Sequence, residues 1–194
     1  MSKKIIEPTT LLAPLPAVMV SCQRLPEKPN IITIAWTGIV CSEPPMLSIS
    51  IRRNRHSYEI VKNTGEFVVN ITTRQLSQAT DLCGIYSGRD YDKFELANLT
   101  PGQATKVMVP VINESPVNLE CQTRKVLELG THDMFVAEIV AVQVDEEILD
   151  SNGRIDVAKL DPLIYIPNAR EYWVGLNSKI GKYGGIARET MAKK

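Results

Sequence analysis

The sequence predicts a mainly β fold with short helices, most simply an antiparallel barrel with helical additions. Three observations predict it: short β-branched runs separated by Pro- and Gly-containing connections, one strand with strict polar alternation, and two long predicted strands in the second half, one of them apolar on both faces. About seven strands and two or three helices result. The chain has 194 residues and no linker that divides it, so we expect residues 1–194 to form a single domain.

The first half contains three predicted strands. Val18–Cys22 and Ile31–Trp36 are short β-branched runs on either side of a proline-containing connection. Met46–Arg52 alternates between large aliphatic residues on one face and small or polar residues, including Ser48 and Ser50, on the other. We therefore expect a half-buried strand whose second face leaves room for a ligand.

Two helices follow these strands. Ser57 is a suitable N-cap and Gly65 a suitable C′ residue for the first helix, and Phe67–Thr72 predicts the next strand. An apolar stripe predicts a second helix over Gln75–Gly84. The polar segment Ile85–Pro101 is long enough to be a functional loop.

The second half contains two long strands and an aromatic tail. Val117–Leu127 is the first strand, and Met134–Val144 is apolar on both faces except at Glu138 and Gln143. A strand of this composition must be covered on both sides, as in a barrel or at a subunit interface. The tail from Pro162 carries two tyrosines and a tryptophan before a glycine-rich basic end.

Composition excludes several classes of protein. The 22 basic and 22 acidic residues give zero formal net charge, which argues against bulk electrostatic binding of nucleic acid. We find no apolar run of membrane-spanning length and no G-x-G-x-x-G or Walker motif. The four cysteines form no C-x-x-C pair and the two histidines lie far apart, so we expect no metal site, reduced thiols and a cytoplasmic location.

The strongest local signal is the segment Arg52-Arg53-Asn54-Arg55-His56-Ser57, which leads directly into a predicted helix. Free backbone N–H groups, the positive end of the helix dipole and guanidinium groups together suit a phosphate. A solvated basic turn is the alternative interpretation.

Three further segments are candidates for binding. Ala35-Trp36-Thr37-Gly38 is a turn that could present backbone N–H groups to a planar heterocycle, although Trp36 could equally be a core residue at a barrel corner. Ser87–Phe94 offers glycine freedom and basic donors, or is a solvated loop. His132 begins a buried strand beside Asp133, which could tune its titration, or is structural.

These segments, in this order, resemble the flavin reductase-like family of FMN-binding split barrels, in its flavoredoxin-type branch. The resemblance covers roughly residues 12–180, and the segments that carry it are Asn30–Trp36, Cys41–Met46, Gly65–Asn70, Cys83–Phe94 and Gly130–Phe135. Any one motif is modest, but their joint order and spacing are specific.

The resemblance implies a six-stranded antiparallel split barrel of Greek-key type, a homodimer and FMN at the subunit interface. It assigns the isoalloxazine ring to Ala35, Trp36 and Thr37, and His132 to the flavin edge or the nicotinamide. It assigns the phosphate, the ribityl chain and further flavin contacts to the residues Ser50, Arg53, Asn54, Arg55, His56, Ser57, Ser87, Gly88, Arg89, Asp90 and Lys93.

The function implied by the resemblance is electron transfer from NAD(P)H through FMN to a flavin, ferric iron or protein acceptor. Two alternatives stay open at this stage. One is a flavoredoxin-like electron carrier without appreciable NAD(P)H turnover. The other is a barrel-fold protein that binds a different phosphorylated ligand and has no redox role.

Overall fold

The computed structural model describes residues 2–175 together with 179, 181 and 183. The strands in this part of the chain are β1 (Leu15–Pro16), β2 (Val18–Cys22), β3 (Asn30–Ile34), β4 (Thr37–Cys41), β5 (Met46–Arg52), β6 (Glu66–Ile71), β7 (Pro101–Gly102), β8 (Val111–Ile112), β9 (Val117–Glu128), β10 (His132–Val144), β11 (Ile164–Ile166) and β12 (Glu171–Trp173). The helices are α1 (His56–Thr64), α2 (Ser77–Ile85), α3 (Lys93–Leu96) and α4 (Val157–Leu160), with a 3-10 turn at Glu146–Ile148.

One antiparallel sheet dominates the fold. Its strand order is β3-β2-β6-β9-β10-β5-β4, and every neighbouring pair is antiparallel. The six strands implied by the resemblance are joined by a seventh, β4, which forms a hairpin with β5. The two edges are not paired as a closed ladder, but the backbone N–H of Ser50 donates to the carbonyl oxygen of Trp36 at 2.9 Å, just beyond the end of β3.

The sheet curls around the main aliphatic core. Leu47, Ile49 and Ile51 of β5 are buried on the inner face, as their alternation predicts. Helix α1 closes this core by packing Tyr58 and Val61 against it. The basic segment Arg52–Ser57, the candidate anion site, is thereby held between β5 and α1.

The predicted strands and helices are confirmed with differences at their ends, and the structure adds elements that were not predicted, namely β1, β4, β7, β8, β11, β12, α3 and α4. Gly65 ends α1 in the left-handed conformation (φ 71°), and its N–H donates to the carbonyl oxygen of Val61 at 2.9 Å. The predicted N-cap is wrong: Arg55 is the N-cap, in an extended conformation, and Ser57 lies inside the first turn. The Ser57 hydroxyl instead accepts a hydrogen bond from Asn30. The predicted loop 85–101 contains α3, whose N-cap Asp92 accepts from two backbone N–H groups.

Strand β10 begins at His132, two residues before the predicted start, and its two faces differ. Phe135 and Ala137 are buried in the core, whereas Met134 and Val136 on the other face are only half-buried and Val142 is 53% exposed. The single chain thus covers one face of this apolar strand.

A smaller sheet, β1-β11-β12, brings the aromatic tail beside the main sheet, and β7 pairs with β8. The four cysteines are free thiols, and Cys83 is buried in a second apolar cluster with Met19 and Ile31. No helix among the described residues has the length and apolar character that crossing a bilayer requires. The described residues contain no cluster of three or more His, Cys, Asp or Glu side chains suited to a metal ion. The glycine-rich end of the chain lies largely outside the described residues.

Candidate functional site

Three adjoining cavities in the described part of the chain bring most of the candidate residues together. We call them the anion pocket (about 170 Å³, around Arg55, His56 and Arg89), the central cavity (about 310 Å³, around Trp36 and His132) and the outer cavity (about 430 Å³). Arg55 and Ile32 line both the anion pocket and the central cavity. The anion pocket and the central cavity therefore adjoin each other.

The start of α1 and the loop after α2 form the anion pocket. Its lining residues are Ile32, Asn54, Arg55, His56, Ser57, Tyr86, Ser87, Gly88, Arg89 and Lys93. The Arg89 guanidinium crosses the mouth and donates to the carbonyl oxygen of Asn54 at 3.1 Å. In the described part of the chain, no N-cap side chain occupies the first-turn N–H groups of α1, which leaves donors for an anion.

Gly88 allows the loop to approach the strand closely. A Cβ atom at this position would lie 2.0 Å from Asn30 Oδ1 and 2.8 Å from His56 Cδ2. Asn30 is buried, and its Nδ2 donates to Ser57 Oγ at 2.7 Å. The glycine thus lets the loop pack on the amide that orients a hydroxyl of the pocket.

The basic groups of the pocket are unusual because they are partly desolvated. Lys93 is buried, its Nζ donates to the carbonyl oxygens of Ile31 and Cys83 at 2.8 Å each, and burial lowers its pKa to about 8. Burial, with a contribution from Arg89, also lowers the pKa of His56. An anion entering here would gain strong interactions, since little water competes for these donors.

Arg55 connects the anion pocket to the central cavity. Its guanidinium donates to the carbonyl oxygen of Gly84 in α2, which fixes the side chain between the two spaces. The contact thereby joins the N-cap of α1 to the last turn of α2. This contact was not foreseen from the sequence, because Gly84 was expected only to end the helix.

The corner at Trp36 separates the central cavity from the outer cavity. Ala35, Trp36 and Ser50 line both spaces, and Thr37 lines the outer one. The Thr37 hydroxyl donates to the carbonyl oxygen of Ser48 at 2.7 Å. The backbone N–H of Ser50 donates to the carbonyl oxygen of Trp36. Trp36 is 38% exposed, so the core-residue alternative is wrong.

His132 faces Trp36 across the central cavity. The two rings are nearly parallel, with an interplanar angle of 9° and centroids 6.3 Å apart. Burial and the nearby Arg52 lower the pKa of His132. The expected tuning by Asp133 is wrong, because adjacent residues of a strand point to opposite faces and Asp133 is engaged elsewhere.

The sequence analysis missed an aromatic wall of the central cavity. Tyr165 and Tyr172 pair directly across β11 and β12, with ring centroids 5.6 Å apart, and both line the cavity. Asp81 of α2 lines the same cavity. Burial, followed by Asp81, raises the pKa of Tyr172 to about 12. The sequence signal for this wall was the pair of tyrosines, one on each side of the short turn that joins β11 and β12.

The outer cavity is mainly apolar. Its aliphatic lining includes Leu11, Leu12, Ile39, Val40 and Met134, several of which are largely exposed in the single chain. Leu12 and Ile39 are 76% and 69% exposed. An apolar surface of this kind suits contact with another macromolecule.

Two of the predicted site residues lie away from all three cavities. Arg53 forms ion pairs with Asp133 and Glu128, and Asp90 closes a turn through its backbone N–H to the carbonyl oxygen of Ser87. The predicted residues that do line a cavity are Ala35, Trp36, Thr37, Ser50, Asn54, Arg55, His56, Ser57, Ser87, Gly88, Arg89, Lys93 and His132.

Comparison with known proteins gives consistent results. Residues 12–173 match the model of the flavin reductase like domain. An uncharacterized protein of Archaeoglobus fulgidus is 36% identical over 131 residues, which cover 68% of this chain and 73% of the relative.

Solved structures extend the similarity to nearly the whole chain. Flavoredoxin of Desulfovibrio vulgaris (Miyazaki F) superposes with a TM-score of 0.90 at 34% identity and covers 96% of this chain and 100% of that one. A flavoredoxin from Methanosarcina acetivorans gives 0.87 at 28% identity, covering 98% and 100%. The fold is a split β-barrel, as the resemblance implied, and the chain belongs to the flavin reductase-like family.

Proposed function

We propose that the chain binds FMN and transfers electrons from NAD(P)H through the bound flavin to an acceptor, which is a flavin, ferric iron or a protein. The observation that carries the proposal is that the anion pocket adjoins the aromatic central cavity, with Arg55 in the lining of both. FMN joins a phosphate to a planar tricyclic ring, and the two spaces match these two ends. The similarity to two flavoredoxins supports the same ligand.

The residues present suit FMN on chemical grounds. Arg55, His56, Ser57, Ser87 and Arg89 would hold the phosphate, since they combine charged and hydroxyl donors at the start of a nine-residue helix. Asn54, Gly88 and Lys93 complete this pocket, and Ser50 lines the central and outer cavities.

The ring site would be formed by Ala35, Trp36 and Thr37. When bound, FMN supplies the reversible two-electron chemistry that protein side chains lack. The corner is held in place before any ligand arrives, because Thr37 and Ser50 already hydrogen-bond to neighbouring backbone. Such preorganisation removes a cost of ordering the site on binding. His132 would orient the ring or the nicotinamide from across the cavity.

An electron carrier without appreciable NAD(P)H turnover is the second candidate function. It is favoured by the flavoredoxins, which superpose on nearly the whole chain. Steady-state oxidation of NADH and NADPH with free flavin or ferric acceptors distinguishes the two functions. Turnover with either nucleotide supports the reductase, whereas negligible turnover by flavin-loaded protein supports the carrier.

We also propose that the chain acts as a homodimer. The exposed aliphatic residues of the outer cavity and the half-buried outer face of β10 would be covered by a second copy. Light scattering on the purified protein tests this: a dimer is expected, and a monomer at micromolar concentration contradicts it.

The decisive experiment for FMN is direct binding. The protein as isolated, or after addition of FMN, should show the visible flavin band and release FMN on denaturation. Arg89→Ala should weaken FMN about tenfold or more and leave riboflavin unchanged, because only FMN presents the phosphate to this guanidinium. Arg74→Ala is the matched control, since Arg74 is a surface arginine paired with Asp161. A protein that ignores FMN, or an equal loss for both ligands, contradicts the proposal.

A further inference from the structure

Arg53 belongs to the basic segment before α1, yet its side chain turns away from the anion pocket. Its Nε lies 3.0 and 3.1 Å from the two carboxylate oxygens of Asp133, and its Nη2 lies 2.9 Å from Oδ1. Nη2 also contacts Glu128 Oε2 at 2.9 Å. The guanidinium is therefore already satisfied by carboxylates.

Asp133 is the buried member of this group. Its side chain is 2% exposed, against 51% for Arg53 and 75% for Glu128. The Tyr58 hydroxyl donates to Asp133 Oδ2 at 2.6 Å, and Tyr58 packs edge-on against Phe135 of the core. Hydrogen bonds from Arg53 and Tyr58 lower the pKa of Asp133, so the carboxylate stays ionised. A buried charge with this many partners has one well-defined position.

The position of Asp133 determines the position of His132. Asp133 pairs with Ile51 and His132 with Arg52 in the β10–β5 ladder, so successive side chains of β10 point to opposite faces. Fixing Asp133 on the inner face directs the His132 ring into the central cavity, opposite Trp36. Among the described residues, the one side-chain hydrogen bond of the His132 ring is with the neighbouring Thr131 hydroxyl, at 2.9 Å.

We infer that Arg53 and Asp133 are positioning residues that hold His132 opposite Trp36, and that Arg53 is not a phosphate ligand. We call the Arg53–Asp133 contact the clamp. It connects the basic segment before α1 to the first residues of β10. Arg55 faces the ligand path, and Arg53, two residues earlier, secures the opposite wall. The role of the clamp in flavin binding rests on the proposed function, whereas the contacts that position His132 are independent of it.

Tryptophan fluorescence tests the clamp without any ligand. In a Trp173→Phe background Trp36 is the remaining tryptophan, and protonation of His132 should quench its emission with a midpoint below the ordinary histidine value of 6.5. His132→Gln should abolish this titration. Arg53→Ala and Asp133→Asn should move the midpoint toward 6.5 or abolish the quenching, because the ring is released from the cavity.

Glu128→Gln is the matched control. It removes the exposed carboxylate from the same guanidinium and leaves Asp133 in place, so the titration should not change. If Asp133→Asn does not fold, Arg53→Lys provides the same test, since lysine keeps the charge but cannot form the two-pronged contact. An unshifted titration in Arg53→Ala and Arg53→Lys overturns the inference.

Ligand binding provides a second, independent test. Arg53→Ala should change the affinities for FMN and riboflavin by the same factor, to within about twofold, whereas Arg89→Ala should weaken FMN selectively. A loss of FMN affinity at least tenfold larger than that of riboflavin in Arg53→Ala would assign Arg53 to the phosphate and refute the inference. If the parent protein binds neither flavin, the proposed function fails, while the fluorescence titration still decides the clamp.

Discussion

Gly88→Ala is the sharpest perturbation of the proposed FMN site. The new Cβ would lie 2.0 Å from Asn30 Oδ1, so the amide would have to move by about 1.4 Å to reach the 3.4 Å of an ordinary contact. Asn30 is buried and donates to Ser57 at 2.7 Å, and this displacement breaks the bond. The substitution therefore acts on the fold and on the anion pocket together.

The magnitude follows from two costs. Forcing a methyl group into a packed site costs about 1–3 kcal/mol, and breaking a buried hydrogen bond costs about 1–3 kcal/mol. Because the same movement relieves both, we expect the free energy of unfolding to fall by about 2–4 kcal/mol rather than by the full sum. The FMN dissociation constant should rise at least tenfold, since the loop and the Ser57 hydroxyl both move.

Urea unfolding and flavin fluorescence titration measure these two quantities. Gly38→Ala is the matched control, because a Cβ at Gly38 meets no atom within 4 Å and this glycine needs no left-handed backbone. It should change the free energy of unfolding by less than about 0.5 kcal/mol. A Gly88→Ala protein with the stability and FMN affinity of the parent would refute the packing argument.

Three further predictions test other parts of the site and fold. Trp36→Ala should weaken flavin binding or change flavin fluorescence while lowering the melting temperature little, since the ring is 38% exposed; a loss of stability alone would contradict its role. Tyr172→Phe should alter flavin affinity or the rate of flavin reduction more than Tyr165→Phe, because burial and the charge of Asp81 raise the pKa of the Tyr172 hydroxyl to about 12; equal effects would contradict this assignment. Burial acts to raise the pKa of Glu120, but hydrogen bonds from a side-chain amide and from loop N–H groups outweigh it and hold the pKa below 4.5. Its stabilisation is therefore complete above pH 4.5 and lost as pH falls through the lower folded-state value, and Glu120→Gln should flatten this acid loss in unfolding titrations.

Local signals predicted the strands and the main helix well. The alternation in Met46–Arg52 specified which residues enter the core, and Gly65 specified where α1 ends. These predictions succeed because side-chain periodicity and backbone freedom are properties of neighbouring residues. The N-cap at Ser57 failed because the buried partner Asn30, 27 residues earlier, takes its hydroxyl.

The basic segment before α1 illustrates the limit of sequence reasoning at the site. Arg53 and Arg55 are equivalent by composition and spacing, yet one pairs with Asp133 and the other lines the ligand path. The choice depends on a carboxylate 80 residues away in sequence, which no local pattern identifies. The aromatic wall from Tyr165 and Tyr172 was missed for the same reason, since β11 is held beside the cavity by pairing with β1, about 150 residues earlier in the chain.

The sequence by itself determined a mainly β chain and a candidate anion site at the start of α1, because hydrophobic periodicity, glycine freedom and clustered donors are encoded in neighbouring residues. Tertiary structure decided that this site opens onto the Trp36 corner, which arginine faces it, and which walls enclose it. These properties depend on strand pairing and on buried carboxylates, which bring together residues that are far apart along the chain.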